Sequence, residues 1–275
     1  MSFFKQFPEV DYDIALDGTV SKMVNIFRSV RPVQTFIDDP SLYQYYTIKN
    51  GERPDIVSQK LYGTPDFYWT FFVINEFLHD GYKVWPMSQE QLYKYIETEY
   101  NGYAVNSKIY YIENNIQNSL AGKFQVGEIV TGVRSGASGI LKKKDIDLNQ
   151  LVIQDMLVNT SFDGLRVSEN TETEFEKIAG AKSFDEVQTY QVWPYAEAPH
   201  HYYKTEDGVE REYSNRTFFE NNQEDITDSQ SDNQLNYVSN RQYVNELNDQ
   251  RSKIRVINPT VISEFIDNFE RLINE

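Results

Sequence analysis

The chain has 275 residues, enough for one large or two to three small domains, with 42 acidic against 26 basic side chains and a net charge of -16. That balance argues against a nucleic-acid partner, because phosphate binding needs clustered Lys and Arg. The absence of cysteine excludes disulfides, thiolate metal sites and cysteine nucleophiles. Aromatic residues make up 15% of the chain, with 20 Tyr and 17 Phe, which fits either aromatic-rich small cores or extensive burial against other proteins. The N-terminus lacks a basic region followed by an apolar core, so no signal peptide is expected. No apolar run approaches the roughly 18 residues a membrane span needs, so no membrane partner is expected.

Residues 1–44 read as an aromatic arm, with Phe3, Phe4, Phe7-Pro8 and Tyr12, expected to pack on the rest of the chain or on a partner. Gly18 to Phe27 fits neither a helical nor a strand period cleanly. Residues 45–102 form the next segment. Tyr45 to Ile48 is a short run of β-formers that breaks at Asn50-Gly51, a dipeptide suited to a tight turn. Pro54 suits a first helical turn, Ile56, Val57, Lys60 and Leu61 follow at helical spacing, and Gly63 closes the helix. A second helix, from about Asp66 to Asn75, is apolar nearly all round and must be buried. Ser88 and Gln91 then form a capping box for a helix from about Gln89 to Tyr100, with Leu92, Tyr93, Ile96 and Tyr100 on one face.

Residues 103–180 carry short β-type runs at Ile109–Ile112, Glu128–Val130, Gly139–Leu141 and Leu151–Ile153, punctuated by glycines. That pattern predicts a small antiparallel barrel or sandwich. Residues 181–238 read as an acidic extended segment, almost wholly polar from Glu220 to Gln234. In residues 239–275, Ser239 and Gln242 cap a helix reaching about Arg251, Ser252 to Ile257 reads as a strand, and Asn258-Pro259 starts a last helix. Val261, Ile262, Phe265, Ile266, Phe269, Leu272 and Ile273 stripe that helix, and Ile257 with Ile262 suits a hydrophobic staple. The expected fold class is α+β and multidomain.

No catalytic set emerges. His200 and His201 are neighbours on an extended segment and are expected to point to opposite faces, so they do not chelate one ion. Gly132 to Gly139 lacks the Gly-Lys-Ser/Thr ending of a phosphate loop, and Asp225 to Asp232 lacks the turn glycine and terminal Glu of a calcium loop. No enzyme activity, cofactor or metal is expected.

Tyr46, Ile48, Asn50, Gly51, Ile56, Tyr62, Gly63, Trp69 and Asn75 together resemble the lysin motif (LysM), which implies a βααβ unit. In cell-wall proteins that motif binds N-acetylglucosamine polymers. Here Glu52-Arg53-Pro54 replaces the motif's usual Asp-Thr, and the second helix is heavily aromatic, so glycan is not the expected ligand. Phe124 to Gly139, with Gly127, Gly132, Gly136 and Gly139, resembles a small β-module of phage tail and neck proteins.

Three separated blocks make the whole chain similar to the lysin-motif-bearing baseplate wedge proteins of T-even-like contractile-tailed phages. They are Phe7-Pro8 with Tyr12 and Asn25-Ile26, Tyr46 through Trp85-Pro86, and Pro199 through Tyr203 with Asn240, Tyr243, Asn245 to Asn248, Arg251 and Ile254 to Pro259. The resemblance implies a structural virion subunit, assembled in the host cytoplasm, that joins other baseplate wedge proteins and neighbouring wedges. A glycan-binding accessory of a cell-wall lysin and another tail or neck connector are the alternatives. The expected protein interface comprises Phe3, Phe4, Phe7, Tyr12, Tyr46, Arg53, Tyr62, Tyr68, Trp69, Trp85, His200, His201, Tyr243, Arg251, Phe265 and Phe269.

Overall fold

A computed structural model describes residues 7–14, 16–25, 39–107, 110–112, 115–117, 119–158, 166–167, 173–174, 176–206, 209–213 and 236–274. They fall into two units, Met1–Leu92 with Glu246–Glu275, and Tyr93–Asn245.

The first unit opens with an antiparallel hairpin of β1 (Glu9–Tyr12) and β2 (Ser21–Val24). Phe7, just ahead of it, is buried in a cluster with Trp69, Ile257 and Phe265 and roots the ribbon. β3 (Tyr43–Thr47) leads through the Asn50-Gly51 turn to helix α1 (Pro54–Tyr62), a 3-10 turn (Pro65–Phe67) and helix α2 (Trp69–Ile74). Pro54 opens α1 because a first-turn residue needs no N–H partner, and Gly63 closes it at φ 73, a left-handed cap that glycine adopts without penalty.

The partner of β3 comes from far along the chain. β17 (Lys253–Ile257) pairs with it antiparallel, from Lys253↔Thr47 to Ile257↔Tyr43, so the whole second unit is inserted between them in sequence. Asn75, at the end of α2, ties this strand down: its Nδ2 donates to Phe71 O (2.8 Å) and Arg255 O (2.9 Å), and its Oδ1 accepts from Arg255 N (2.9 Å). Helices α3 (Gln89–Glu99) and α4 (Asn240–Ser252) come next in chain order, and the last helix, α5 (Ile262–Asn274), buries Ile262, Phe265, Ile266, Phe269 and Ile273. Burial stabilises by about 1.5–3 kcal/mol for each such large apolar side chain. Trp69 lies 4.7 Å from the Phe269 ring and 6.2 Å from that of Phe265, within the range of favourable aromatic pairs.

The second unit is built on a closed antiparallel barrel. Its strands are β4 (Tyr103–Ser107), β7 (Ile129–Gly132), β8 (Ser138–Asp145), β9 (Gln150–Val158), β12 (Lys177–Gly180) and β13 (Glu186–Pro194), in the order β12-β13-β4-β9-β8-β7. Val105, Val130, Leu141, Leu151, Ile153, Ile178 and Val187 fill it. Closure leaves the barrel without edge strands. Two short hairpins accompany it, β5 (Tyr110–Ile112) with β6 (Asn115–Gln117) and β10 (Arg166–Val167) with β11 (Thr173–Glu174). So does a three-stranded sheet of β14 (Pro199–Glu206), β15 (Val209–Tyr213) and β16 (Asn236–Ser239), ordered β15-β14-β16.

The barrel contains an internal repeat. Glu128-x-x-x-Gly132-x-x-Ser135 recurs as Glu176-x-x-x-Gly180-x-x-Ser183, and the two copies pair antiparallel through β7 and β12. Each buried glutamate serves the turn of the other copy. Glu128 accepts from Lys182 N, Ser183 N and Ser183 Oγ, each at 2.9 Å. Glu176 accepts from Arg134 N (2.8 Å), Ser135 N (2.6 Å) and Ser135 Oγ (3.0 Å). The turn bonds match as well, with Gly132 N to Ala137 O at 2.8 Å and Gly180 N to Asp185 O at 2.9 Å. A Cβ on Gly132 would collide with Glu176, and one on Gly180 with Ser183 and Glu128, so the reciprocal clasp requires glycine at both places.

Several expectations change. The arm before residue 25 contains a hairpin rather than irregular chain, although Phe3, Phe4, Ile26 and Phe27 lie outside the described residues. The barrel extends past residue 180, because β13 closes it, and β14 and β15 also fall in the stretch read as acidic loop. Glu220 to Gln234 lies outside the described residues. The last helix begins at Ile262, because Pro259 sits in a turn where Asn258 O accepts from Val261 N.

The reciprocal clasp makes a paired prediction. Glu128→Ala and Glu176→Ala each orphan three donors in the other copy's turn, and each should lower unfolding stability by about 2–4 kcal/mol in urea titrations. The two losses should agree within about 1 kcal/mol. A loss confined to one position would contradict the symmetry.

Candidate functional site

In the first unit the turn after β3 is held by a polar network around Glu52. Its carboxylate accepts from Tyr46 Oη (2.8 Å) and Lys49 N (2.9 Å) and pairs with the Lys60 ammonium. Burial pushes the Glu52 carboxyl up, but the Lys60, Lys49 and Tyr46 bonds outweigh that and hold it below the usual range. The Tyr46 hydroxyl is pushed up to about 12, by burial first and by the Glu52 carboxylate second. The buried Trp85 closes the turn: its Nε1 donates to Glu52 O at 2.8 Å. Gln89 N donates to Asn50 Oδ1 at 2.8 Å, so the turn's polar groups are engaged by their own chain.

Beside this turn lies an aromatic patch of Tyr68, Phe72 and Tyr82. Tyr82 sits 6.2 Å from Tyr68 and 5.6 Å from Phe72, and it is 60% exposed. Phe77, Tyr45, Ile56 and Arg53 are also exposed. Such a patch offers contact area that loses little side-chain entropy on ordering.

In the second unit, His200 and His201 come together instead of diverging. The strand register shifts between Pro199 and His201, a bulge that brings the two Nδ1 atoms to 2.9 Å. His200 also stacks on Tyr243 at 3.7 Å between ring centroids. Burial first, and the neighbouring His201 second, hold the His200 imidazole below its ordinary pKa. Among the described residues no group of three His, Cys, Asp or Glu side chains is placed to hold a metal ion, and no helix is long and apolar enough to cross a membrane.

The expected interface residues separate by burial. Phe7, Trp69, Trp85, Phe265 and Phe269 are each at most 8% exposed and belong to the core, so their large area holds the first unit together and offers nothing to a partner. Tyr62 is half-buried, with its hydroxyl on Ile257 O at 3.1 Å, and burial pushes that phenol up. Tyr12 and Arg53 are exposed, whereas Tyr46, Tyr68, His200, His201, Tyr243 and Arg251 are half-buried. Sequence reasoning passed over Leu16, Tyr45, Phe77, Tyr82 and Phe184, all exposed. Tyr45 was findable, since it alternates with the half-buried Tyr46 along β3.

Residues 2–120 match the family model described as Base plate wedge protein 53. The baseplate wedge protein gp53 of Enterobacteria phage T4 is 29% identical over 94 residues, which is 34% of this chain and 47% of that protein. The chain therefore spans about half the length of this curated relative. The family match runs from the hairpin through α1 and α2 to the first barrel strand and ends before β7.

Two outcomes follow from this geometry. Asn75→Ala removes two bonds from the end of α2 to β17 and a third within α2, and should cost about 3 kcal/mol by chemical denaturation. For His200, a folded pKa below the unfolded value near 6.5 means that its share of stability is complete above that value and is lost as pH falls through it. His200→Phe keeps a ring for Tyr243 to stack on and should flatten the melting temperature between about pH 7 and pH 5.

Proposed function

We propose that the chain is a structural subunit of a phage tail baseplate wedge, joining neighbouring wedges and other tail proteins during assembly without catalysis. The observation that carries this reading is the family match over residues 2–120, which includes every element of the first unit before α3 (Gln89–Glu99). The relative's printed name, a baseplate wedge protein, supports the same role. On this reading the protein is assembled in the host cytoplasm and resides in the virion. The net charge of -16 and the exposed aromatic patch suit a subunit that binds proteins rather than nucleic acid.

The fold reading that goes with it is an α+β chain whose first unit is LysM-like. The strand β3, the helices α1 and α2 and the antiparallel strand β17 support that reading. That arrangement also keeps a second reading alive, glycan binding as an accessory to a cell-wall lysin. Trp85 and Lys60 donate to Glu52 and leave the turn fewer free acceptors for sugar hydroxyls.

Co-sedimentation separates the two. The purified chain should remain in the supernatant with chitin or peptidoglycan and should co-purify with wedge proteins from dissociated tails of the encoding phage. Retention on peptidoglycan at micromolar concentration, with no tail protein bound, would reverse the order of the two readings.

A further inference from the structure

The β1–β2 hairpin is built as a docking ribbon. Its register places Val10, Tyr12 and Met23 on one face, with Ser21, and Glu9, Asp11, Lys22 and Val24 on the other. A ribbon that is apolar on one side normally packs that side on a core. Here Val10, Tyr12 and Met23 are 42%, 57% and 42% exposed, and Leu16 at the loop is 89% exposed. Two short strands alone are marginal in water, yet this pair is well anchored. Phe7 is buried at its base, and Asn25 N donates to Pro8 O at 2.9 Å.

The loop between the strands is organised by its own carboxylates. Asp13 accepts from Asp17 N (3.3 Å) and Gly18 N (2.8 Å), and Asp17 accepts from Thr19 N (2.8 Å). Within that frame Leu16 holds φ 55, a left-handed conformation unfavourable for a bulky side chain. The chain thus fixes an exposed leucine where its local preference and its solvent contact are both poor. Preorganised apolar anchors of this kind lose little freedom on binding.

Charge selects the occupant. Glu9, Asp11, Asp13 and Asp17 surround the apolar residues, against Lys22 alone on the described ribbon. A second copy of this chain carries the same net charge of -16, and an anionic lipid surface repels the ribbon for the same reason. We propose that the β1–β2 ribbon inserts, apolar face and Leu16 first, into an apolar groove rimmed by Lys and Arg on a different protein of the same assembly. This rests on the baseplate reading above.

The test uses the full chain expressed during infection, with a photo-cross-linking residue in place of Leu16, and compares Leu16→Asp with wild type. Asp tolerates left-handed backbone better than Leu, so this variant should fold, with an unchanged far-UV spectrum and melting curve. The expected result is a cross-link from position 16 to another tail protein, at a segment mixing apolar residues with Lys or Arg. Leu16→Asp should reduce the chain's incorporation into tails by about tenfold or more, and Asp11→Lys should also reduce it. Wild-type incorporation of Leu16→Asp, or cross-links only to a second copy of this chain, overturns the ribbon proposal while leaving the baseplate reading standing. Absence of the wild-type chain from tail particles overturns both.

Discussion

The first unit depends on a strand that arrives last. β3 has β17 as its antiparallel partner, and β17 supplies Ile254, Val256 and Ile257, none of them measurably exposed, to the two clusters that form this unit's core. Asn75 joins the end of α2 to the backbone of Arg255 on both its N–H and its C=O. An amide side chain satisfied on both ends in a buried position is expensive to remove and leaves no room for register slip. The β3–α1–α2 portion is therefore incomplete until the chain has passed through residues 93–245. Pairing across so long a separation is slow to form, because loop-closure entropy is lost before the contacts compensate. The inserted unit carries its own closed barrel and its own interior, so it does not need the first unit's core to bury its apolar residues.

The barrel solves a local problem by exchange. Each tight turn presents backbone N–H groups that its own strand cannot satisfy, and each is served by a glutamate from the other copy of the repeat. Burial pushes the Glu128 carboxyl up, and the N–H groups of Gln125, Ser183 and Lys182 more than offset that. A buried carboxylate tolerates this position because it is the acceptor for several donors at once.

Local chemistry was the legible part of the sequence. Pro54 and Gly63 bracket α1 where first-turn and cap rules place them, and the Ser88–Gln91 box forms with both of its bonds. The stripe of α5 was plain because its period is strict over three turns. The strand pairing of β3 with β17 was not legible, since nothing in either run names a partner two hundred residues away. β13 was hidden by the acidic composition around it. The repeat was missed because it shares few residue identities beyond Glu, Gly and Ser. Which aromatics are buried was not legible either: aromatic type does not separate core from surface, so Trp69 and Tyr82 look alike until burial is known.

On the baseplate reading, the hairpin, the aromatic patch beside the Glu52 turn and the net charge of -16 serve a chain held among other proteins. The most direct measurement of that account is electron microscopy of particles made by the encoding phage after this chain is deleted. The account predicts that assembled baseplates and the tails they support are lost, with heads still formed. Complete tails with intact baseplates in the absence of this chain would contradict it.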